Sequence, residues 1–233
     1  MKQATDINVG RLYHDYKIWI ETERPYASVE DELKDNVHFA GVFKKLITPE
    51  EPSELSDFAG MLNIFDVKTV YPLILFLHGE VGLQGESLKQ VLLSLESFLI
   101  RRAICGLTTK NYNRLFLQLI EALRGQENVV DAIKTELLKG DGEAVVWPDD
   151  ASFSSAWLTK RLYIEMKPSI RLQYVLKRIE QAKRSAKNED VHIRSSLSIE
   201  HVMPEKWEPH WPLAGGRIAK TSLDRLFDTV PDL

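Results

Sequence analysis

The chain has 233 residues, of which 44% are hydrophobic and 27% are charged, a balance typical of a globular protein. No apolar run approaches the roughly 20 residues needed to span a bilayer, and the N-terminus lacks an apolar signal core, so we expect a cytoplasmic protein with no membrane partner. A net charge of −4 gives no general affinity for nucleic acid, and any DNA contact needs a local basic patch. The single cysteine, Cys105, excludes an internal disulfide and a thiolate-rich zinc site.

Apolar periodicity predicts a succession of helices along most of the chain. The predicted helices are residues 6–23 with Asp6 as cap, 29–46, a segment beginning at 53, 70–77, 86–104, Thr108 or Thr109 to 124, 127–139, 152–166 and 168–187. Ser28 and Ser53 are the expected N-caps of the second and third helices. The run at 70–77 is apolar on every side, and we expect helix because Pro72 suits a first helical turn and would interrupt a central strand.

Residues 86–104 carry the widest apolar stripe. Its members are Leu88, Val91, Leu92, Leu95, Phe98 and Leu99. Arg101 and Arg102 lie in the last turn, where positive charge complements the helix dipole, and a direct phosphate contact is the alternative. Gly106 can cap the C-terminus of this helix.

The helix predicted at 168–187 carries the best candidate patch for phosphates. The candidate contacts are Lys177, Arg178 and Arg184. The apolar residues of the same helix that are available to face the core are Ile170, Tyr174, Leu176 and Ile179. Glu180 lies between Lys177 and Arg184 on the same side, which favours the alternative of a salt-bridged solvent face.

The polar stretch 185–190 is the best candidate boundary between domains. It divides the chain into a helical domain, residues 1–187, and a smaller element, residues 188–233. Residues 191–193 and 197–199 have the composition of short strands. The sequence therefore predicts a mainly α protein, with an irregular multi-helix body followed by a small αβ element.

Glu200 and His201 open the motif Glu-His-Val-Met-Pro, and Pro204 forces the backbone to leave any strand at that point. A bend there would let the two side chains converge on one reacting centre. A carboxylate can hold a divalent ion, and a neutral imidazole can take a proton from an attacking water. The alternative is a surface turn with a chance Glu-His pair.

Two stretches in this order, residues 95–106 (LESFLIRRAICG) and 198–204 (SIEHVMP), resemble the C-terminal half of the GmrSD-type proteins, the type IV restriction endonucleases that attack modified DNA. The resemblance covers roughly residues 35–210. It implies a ββα nuclease element of the His-Me finger (HNH-like) class, with His201 as general base, Glu200 as metal ligand, Mg²⁺ or Mn²⁺ as cofactor and DNA as substrate. It also implies a nucleotide-handling domain, which could be a separate subunit.

The sequence departs from the family pattern at two places. No asparagine follows Asn188 to complete the metal site, and no glycine-rich phosphate loop occurs. His210 is an alternative ligand, although between Pro209 and Trp211 it suits a surface histidine better. We therefore expect a truncated member of the family with weak or no activity, and the alternative is a non-catalytic helical module that docks a nucleotide-binding partner.

Overall fold

The structure, a computed structural model, describes residues 11–48, 53–184 and 197–200. These residues form α-helices and no β-strand, which confirms the mainly helical class. The helices are α1 (Leu12–Glu23), α2 (Val29–Ile47), α3 (Glu54–Phe65), α4 (Tyr71–Ile74), α5 (Gly85–Ile104), α6 (Tyr112–Leu123), α7 (Val129–Leu138), α8 (Asp150–Thr159), α9 (Leu162–Glu165) and α10 (Ile170–Lys183). A 3₁₀ turn (Lys68–Val70) precedes α4, and a π-helical segment (Leu75–Glu80) follows it. None of the described helices is long and apolar enough to cross a membrane.

The chain divides into two compact units. The first comprises Met1–Leu95 and Thr109–Val145, and the second comprises Glu96–Thr108 and Val146–Leu233. Helix α5 therefore contributes its N-terminal part to the first unit and its C-terminal part to the second. The domain boundary predicted near residue 187 falls on residues outside those described and stays a prediction.

Polar caps start the helices of the first unit where the sequence predicts them. The Ser28 side chain accepts the backbone N–H of Asp31 at the start of α2. Ser53 and Ser56 form a reciprocal capping box at the start of α3, which satisfies two backbone donors that the first turn leaves unpaired. The cap predicted at Asp6 lies outside the described residues.

The apolar run at residues 70–77 is helical, as predicted, and Pro72 lies in the first turn of α4. Leu73, Ile74 and Leu77 are fully buried there. Because a run that is apolar on every side must be covered on every side, this segment lies in the interior of the first unit.

The stripe of α5 is also confirmed, since all six of its predicted apolar members are buried. Gly106 ends the helix with a φ of 67°. The Leu107 N–H reaches back to the Arg102 carbonyl oxygen at 2.9 Å, the bond expected of a glycine-capped C-terminus.

Three predicted boundaries are wrong. The N-cap of helix α6 is Asn111 rather than the predicted Thr108 or Thr109, and the Thr108 carbonyl oxygen accepts a hydrogen bond from Arg102 instead of a helical N–H. The single helix predicted at 152–166 is two helices, because Lys160 has an extended backbone with ψ at 148°. Helix α10 begins at Ile170 rather than at residue 168.

The predicted core face of α10 is also wrong. Its buried residues are Leu172 and Val175. Ile170 is exposed, and Tyr174, Leu176 and Ile179 are half-buried. Apolar residues occur on more than one side of this helix, so the pattern alone does not determine which side meets the rest of the unit.

Candidate functional site

Glu200, the predicted metal ligand, lies at the end of the short described segment 197–200. Its side chain is exposed, and the Ser198 hydroxyl donates a hydrogen bond to Oε1 at 2.9 Å. The backbone of this segment has no regular secondary structure, so the strand predicted at 197–199 is not seen. A strand needs a partner for its backbone hydrogen bonds. The other predicted strand, residues 191–193, lies outside the described residues, as does His201.

Arg178, one of the three predicted phosphate contacts, is bound to the carboxylate of Glu96. Its Nε and Nη2 donate to Oε1 and Oε2 of Glu96 at 2.7 and 3.0 Å. The Tyr174 hydroxyl donates to the same Glu96 Oε1 at 2.8 Å. Glu96 is only 9% exposed, so these bonds replace most of the water that a free carboxylate would hold. Any phosphate that binds Arg178 must compete with this pair.

The other two predicted phosphate contacts, Arg184 and Lys177, differ in whether a carboxylate of the described structure already pairs with them. Arg184 donates through Nε to Glu180 Oε1 at 2.7 Å, the salt-bridged arrangement weighed as the alternative. Lys177 is exposed and forms no ion pair with any residue that the structure describes. Arg184 also lines a shallow groove of about 300 Å³, together with Leu176, Ile179, Glu180 and Lys183.

The arginine pair at the end of α5 binds backbone carbonyl oxygens. Arg102 is completely buried and donates to the carbonyl oxygens of Val146 and Thr108, both at 2.7 Å. Its guanidinium carbon lies 5.4 Å from the centroid of the Phe98 ring, and Trp147 meets Phe98 edge-on with centroids 5.7 Å apart. Arg102 thus fixes the chain at residue 146 to the end of α5.

Arg101 holds the start of α8 in a similar way. It donates to the Pro148 carbonyl oxygen at 3.1 Å and pairs with the Asp150 carboxylate. Asp149 caps α8 by accepting the Ser152 N–H at 2.7 Å. Hydrogen bonds from the Ser152 side chain and backbone hold the pKa of Asp149 below its ordinary value. Both arginines therefore make structural contacts within the second unit. These contacts give no support to the alternative, a direct phosphate contact.

Sequence reasoning missed the roles of Glu96, Tyr174 and Trp147. A signal for Glu96 is present in the sequence, because it is an acidic residue beside the apolar stripe of α5, next to Leu95 and three positions before Leu99. A carboxylate in such a place needs a cation as partner. Which cation it is depends on the fold.

A multi-ligand metal site is not found in the described part of the chain. No group of three His, Cys, Asp or Glu side chains in residues 11–48, 53–184 and 197–200 could hold an ion. Glu200 offers exposed carboxylate oxygens, the ligand type that Mg²⁺ and Mn²⁺ accept. It therefore fits a single ligand to such an ion.

The second unit contains a segment that is similar to a known protein domain. Residues 147–228 match the GmrSD restriction endonucleases, C-terminal domain. This confirms the resemblance over that segment, which begins at the Trp147 that packs on Phe98 and includes the motif at 198–204. The other motif, 95–106, precedes the match. Comparison with curated proteins and with solved structures found no match.

Proposed function

We propose that this chain takes part in metal-dependent hydrolysis of phosphodiester bonds in DNA, including modified DNA. The observation that carries the proposal is the match of residues 147–228 to the GmrSD C-terminal domain, because it includes both Glu200 and His201. In this proposal residues 188–233 form a ββα element of the His-Me finger class. His201 is the general base and Glu200 is a metal ligand.

The proposed roles follow from the chemistry of the two side chains. A neutral His201 imidazole would accept the proton of a water molecule as that water attacks phosphorus. The Glu200 carboxylate is exposed and oriented by the Ser198 hydroxyl, so it is accessible to an ion. A Mg²⁺ or Mn²⁺ ion bound there would supply positive charge to the phosphate oxygens.

The DNA backbone would approach along α10. Lys177 is the strongest of the three proposed contacts, because it is exposed and has no ion-pair partner among the residues described. Arg178 and Arg184 would contribute less, since Glu96 and Glu180 already neutralise them. A single lysine contact weakens binding uniformly across DNA sequences when it is removed.

The proposal predicts slow cleavage that depends on His201. The purified chain should be incubated with plain and with hydroxymethylated or glucosylated DNA in Mg²⁺ or Mn²⁺. We expect slow nicking, because a Mg²⁺ ion bound by one protein carboxylate keeps most of its waters and is poorly aligned. His201→Ala should lower the rate by about 10²–10⁴-fold through loss of the general base.

The matched control is His14→Ala, which removes an exposed histidine from α1 in the first unit and should leave the rate unchanged. Glu200→Gln should shift the metal dependence of cleavage to higher ion concentrations. Cleavage by His201→Ala at the rate of the unaltered chain would refute the assigned base. If no DNA is cleaved under any condition, the alternative of a non-catalytic helical module with a nucleotide-binding partner is favoured.

A further inference from the structure

Helix α2 exposes an apolar stripe in the described part of the chain. Val29, Leu33, Val37 and Ile47 are 70%, 58%, 71% and 51% exposed. The opposite side of the same helix packs inward through the buried residues Val42 and Leu46. The helix thus has one face in the core of the first unit and a second apolar face toward solvent, over 19 residues or about 28 Å.

The exposed face has the spacing of a coiled-coil seam. With Leu33 in an a position, the alternating d and a positions are Val29, Leu33, Asn36, Ala40, Phe43 and Ile47. Every one of these six side chains is exposed. Two of them also contact other parts of the chain: Asn36 Nδ2 donates to the Tyr16 hydroxyl at 3.3 Å, and the Phe43 ring meets the Tyr71 ring edge-on with centroids 5.8 Å apart. A seam of this kind is completed when a second helix with the same spacing packs against it.

Charge is distributed unevenly along α2. Acidic residues, including Glu30 and Asp31, lie in the first turn, and Lys44 and Lys45 lie in the last turn. Two copies packed side by side in antiparallel orientation bring the acidic end of each against the basic end of the other. Parallel packing would bring like charges together.

We propose that α2 is the interface of a homodimer, in which the α2 helices of two copies of this chain pack antiparallel about a two-fold axis near residue 38. A two-fold axis makes the same surface face itself, so one helix with complementary ends is sufficient. The inference does not depend on the proposed nuclease function.

In this register, each seam residue of one copy faces a seam residue of the other copy. Val29 meets the partner's Ile47, Leu33 meets the partner's Phe43, and Asn36 meets the partner's Ala40. Beside the seam, Glu30 lies opposite the partner's Lys44. Val37 lies opposite the partner's Val37 at the centre, which explains an otherwise unsupported valine that is 71% exposed. The small side chain of Ala40, in an a position, leaves room for close approach.

The expected association is weak and depends on concentration. Two helices of this length bury less than about 1,200 Å², the size of transient interfaces. Sedimentation equilibrium of the full chain, from low micromolar to several hundred micromolar, should show a shift from 26.7 kDa towards twice that mass. A chain that stays monomeric over this range overturns the proposal.

Substitution of seam residues tests the surface directly. Leu33→Glu and Val37→Glu place charge on an already exposed site, so each chain should fold and remain at 26.7 kDa at all concentrations. The matched control is Leu138→Glu in α7, where the leucine is 57% exposed but lies outside α2. Circular dichroism checks that the helix content of all three is unchanged. A dimer that persists in both α2 variants, or that is lost in the control, rules out this interface.

A charge exchange tests the orientation. Glu30→Lys alone and Lys44→Glu alone should each weaken association, since each places like charges opposite one another. The chain that carries both changes should recover it, because the pair is restored with its signs reversed. Failure of the double variant to recover association would overturn the antiparallel arrangement, since parallel packing keeps like charges together in every one of these variants.

Discussion

The carboxylate of Glu96 shows how one buried charge is accommodated in the second unit. Removing an ion from water costs several kcal/mol, so a carboxylate this deeply buried needs well-placed donors. Arg178 supplies two parallel N–H donors and Tyr174 a third. The two partners are not equivalent, because the Arg178 side chain is 40% exposed while that of Glu96 is 11% exposed.

This asymmetry predicts that removing the arginine is more costly than removing the acid. Arg178→Ala leaves a buried carboxylate without its cation and should lower the free energy of unfolding by about 3 kcal/mol. Glu96→Gln leaves a guanidinium that water can still reach, and it should cost less. Urea unfolding midpoints at constant slope give both values.

Arg184→Ala is the matched control, because it removes a pair that lies on the solvent side of the same helix. A surface pair such as Arg184 and Glu180 contributes no more than about 1 kcal/mol. Equal, small losses in Arg178→Ala and Arg184→Ala would show that Glu96 is better solvated than its burial indicates.

At the scale of the element, α5 is the helix whose position the sequence determines best. Its stripe recurs at three- and four-residue intervals over 20 residues, and the glycine that ends it adopts the left-handed backbone that favours glycine. Long periodic segments leave few alternatives, since a different secondary structure would expose much of the stripe.

Two leucines of α5 allow a controlled test of that stripe. Leu95 is fully buried, and Leu93 on the same helix is 43% exposed. Leu95→Ala should lower the free energy of unfolding by about 2–5 kcal/mol, through lost burial and the cavity that remains. Leu93→Ala should cost under about 1 kcal/mol, measured by thermal or urea unfolding. Similar losses for the two variants would contradict the assigned buried face.

Shorter elements were less predictable from the sequence. The sequence predicts a single helix where the structure has α8 and α9, because nothing in the local residue pattern indicates the extended backbone at Lys160. In α10, Leu172 and Val175 are buried while the similar side chain of Ile170 is exposed. In both cases, packing against residues distant in sequence decides the outcome. Local propensity is too weak to override it.

What the sequence alone indicates about the candidate site is limited to two motifs, residues 95–106 and 198–204. The sequence places Glu200 beside His201, and the family match supports the predicted resemblance. It does not reveal that Arg178 is held by Glu96, because those two residues are 82 positions apart. The predicted roles of all five site residues stay predictions, namely those of Glu200, His201, Lys177, Arg178 and Arg184.

At the scale of the whole molecule, the second unit is built from two separated parts of the chain. Glu96–Thr108 and Val146–Leu233 form it, and the first unit's Thr109–Val145 lies between them in sequence. Glu96, Phe98 and Arg102 contribute a carboxylate, a ring and a buried guanidinium to residues 146–178. Described residues of both motifs that resemble the GmrSD family, 96–106 and 198–200, therefore belong to this unit, although about a hundred residues separate them in sequence.

This arrangement predicts that the family-matching segment is not self-sufficient. A fragment of residues 146–233 lacks the ion partner of Arg178 and the Phe98 ring that Trp147 contacts, so it should unfold without a cooperative transition. Joining residues 96–108 to it through a short Gly/Ser linker should restore cooperativity. The linker can be short because the carbonyl oxygens of Thr108 and Val146 both bind the guanidinium of Arg102, which places the two ends side by side.

The measurement is urea unfolding followed by tryptophan fluorescence and circular dichroism, with coincident transitions as the sign of two-state behaviour. Arg102→Met in the joined chain is the matched control. It keeps the linker and most of the apolar volume but leaves the carbonyl oxygens of Thr108 and Val146 without their buried donor. The midpoint should fall, since each unpaired buried polar group costs about 1–3 kcal/mol. If residues 146–233 alone unfold cooperatively at the same midpoint as the joined chain, residues 96–108 do not stabilise this unit.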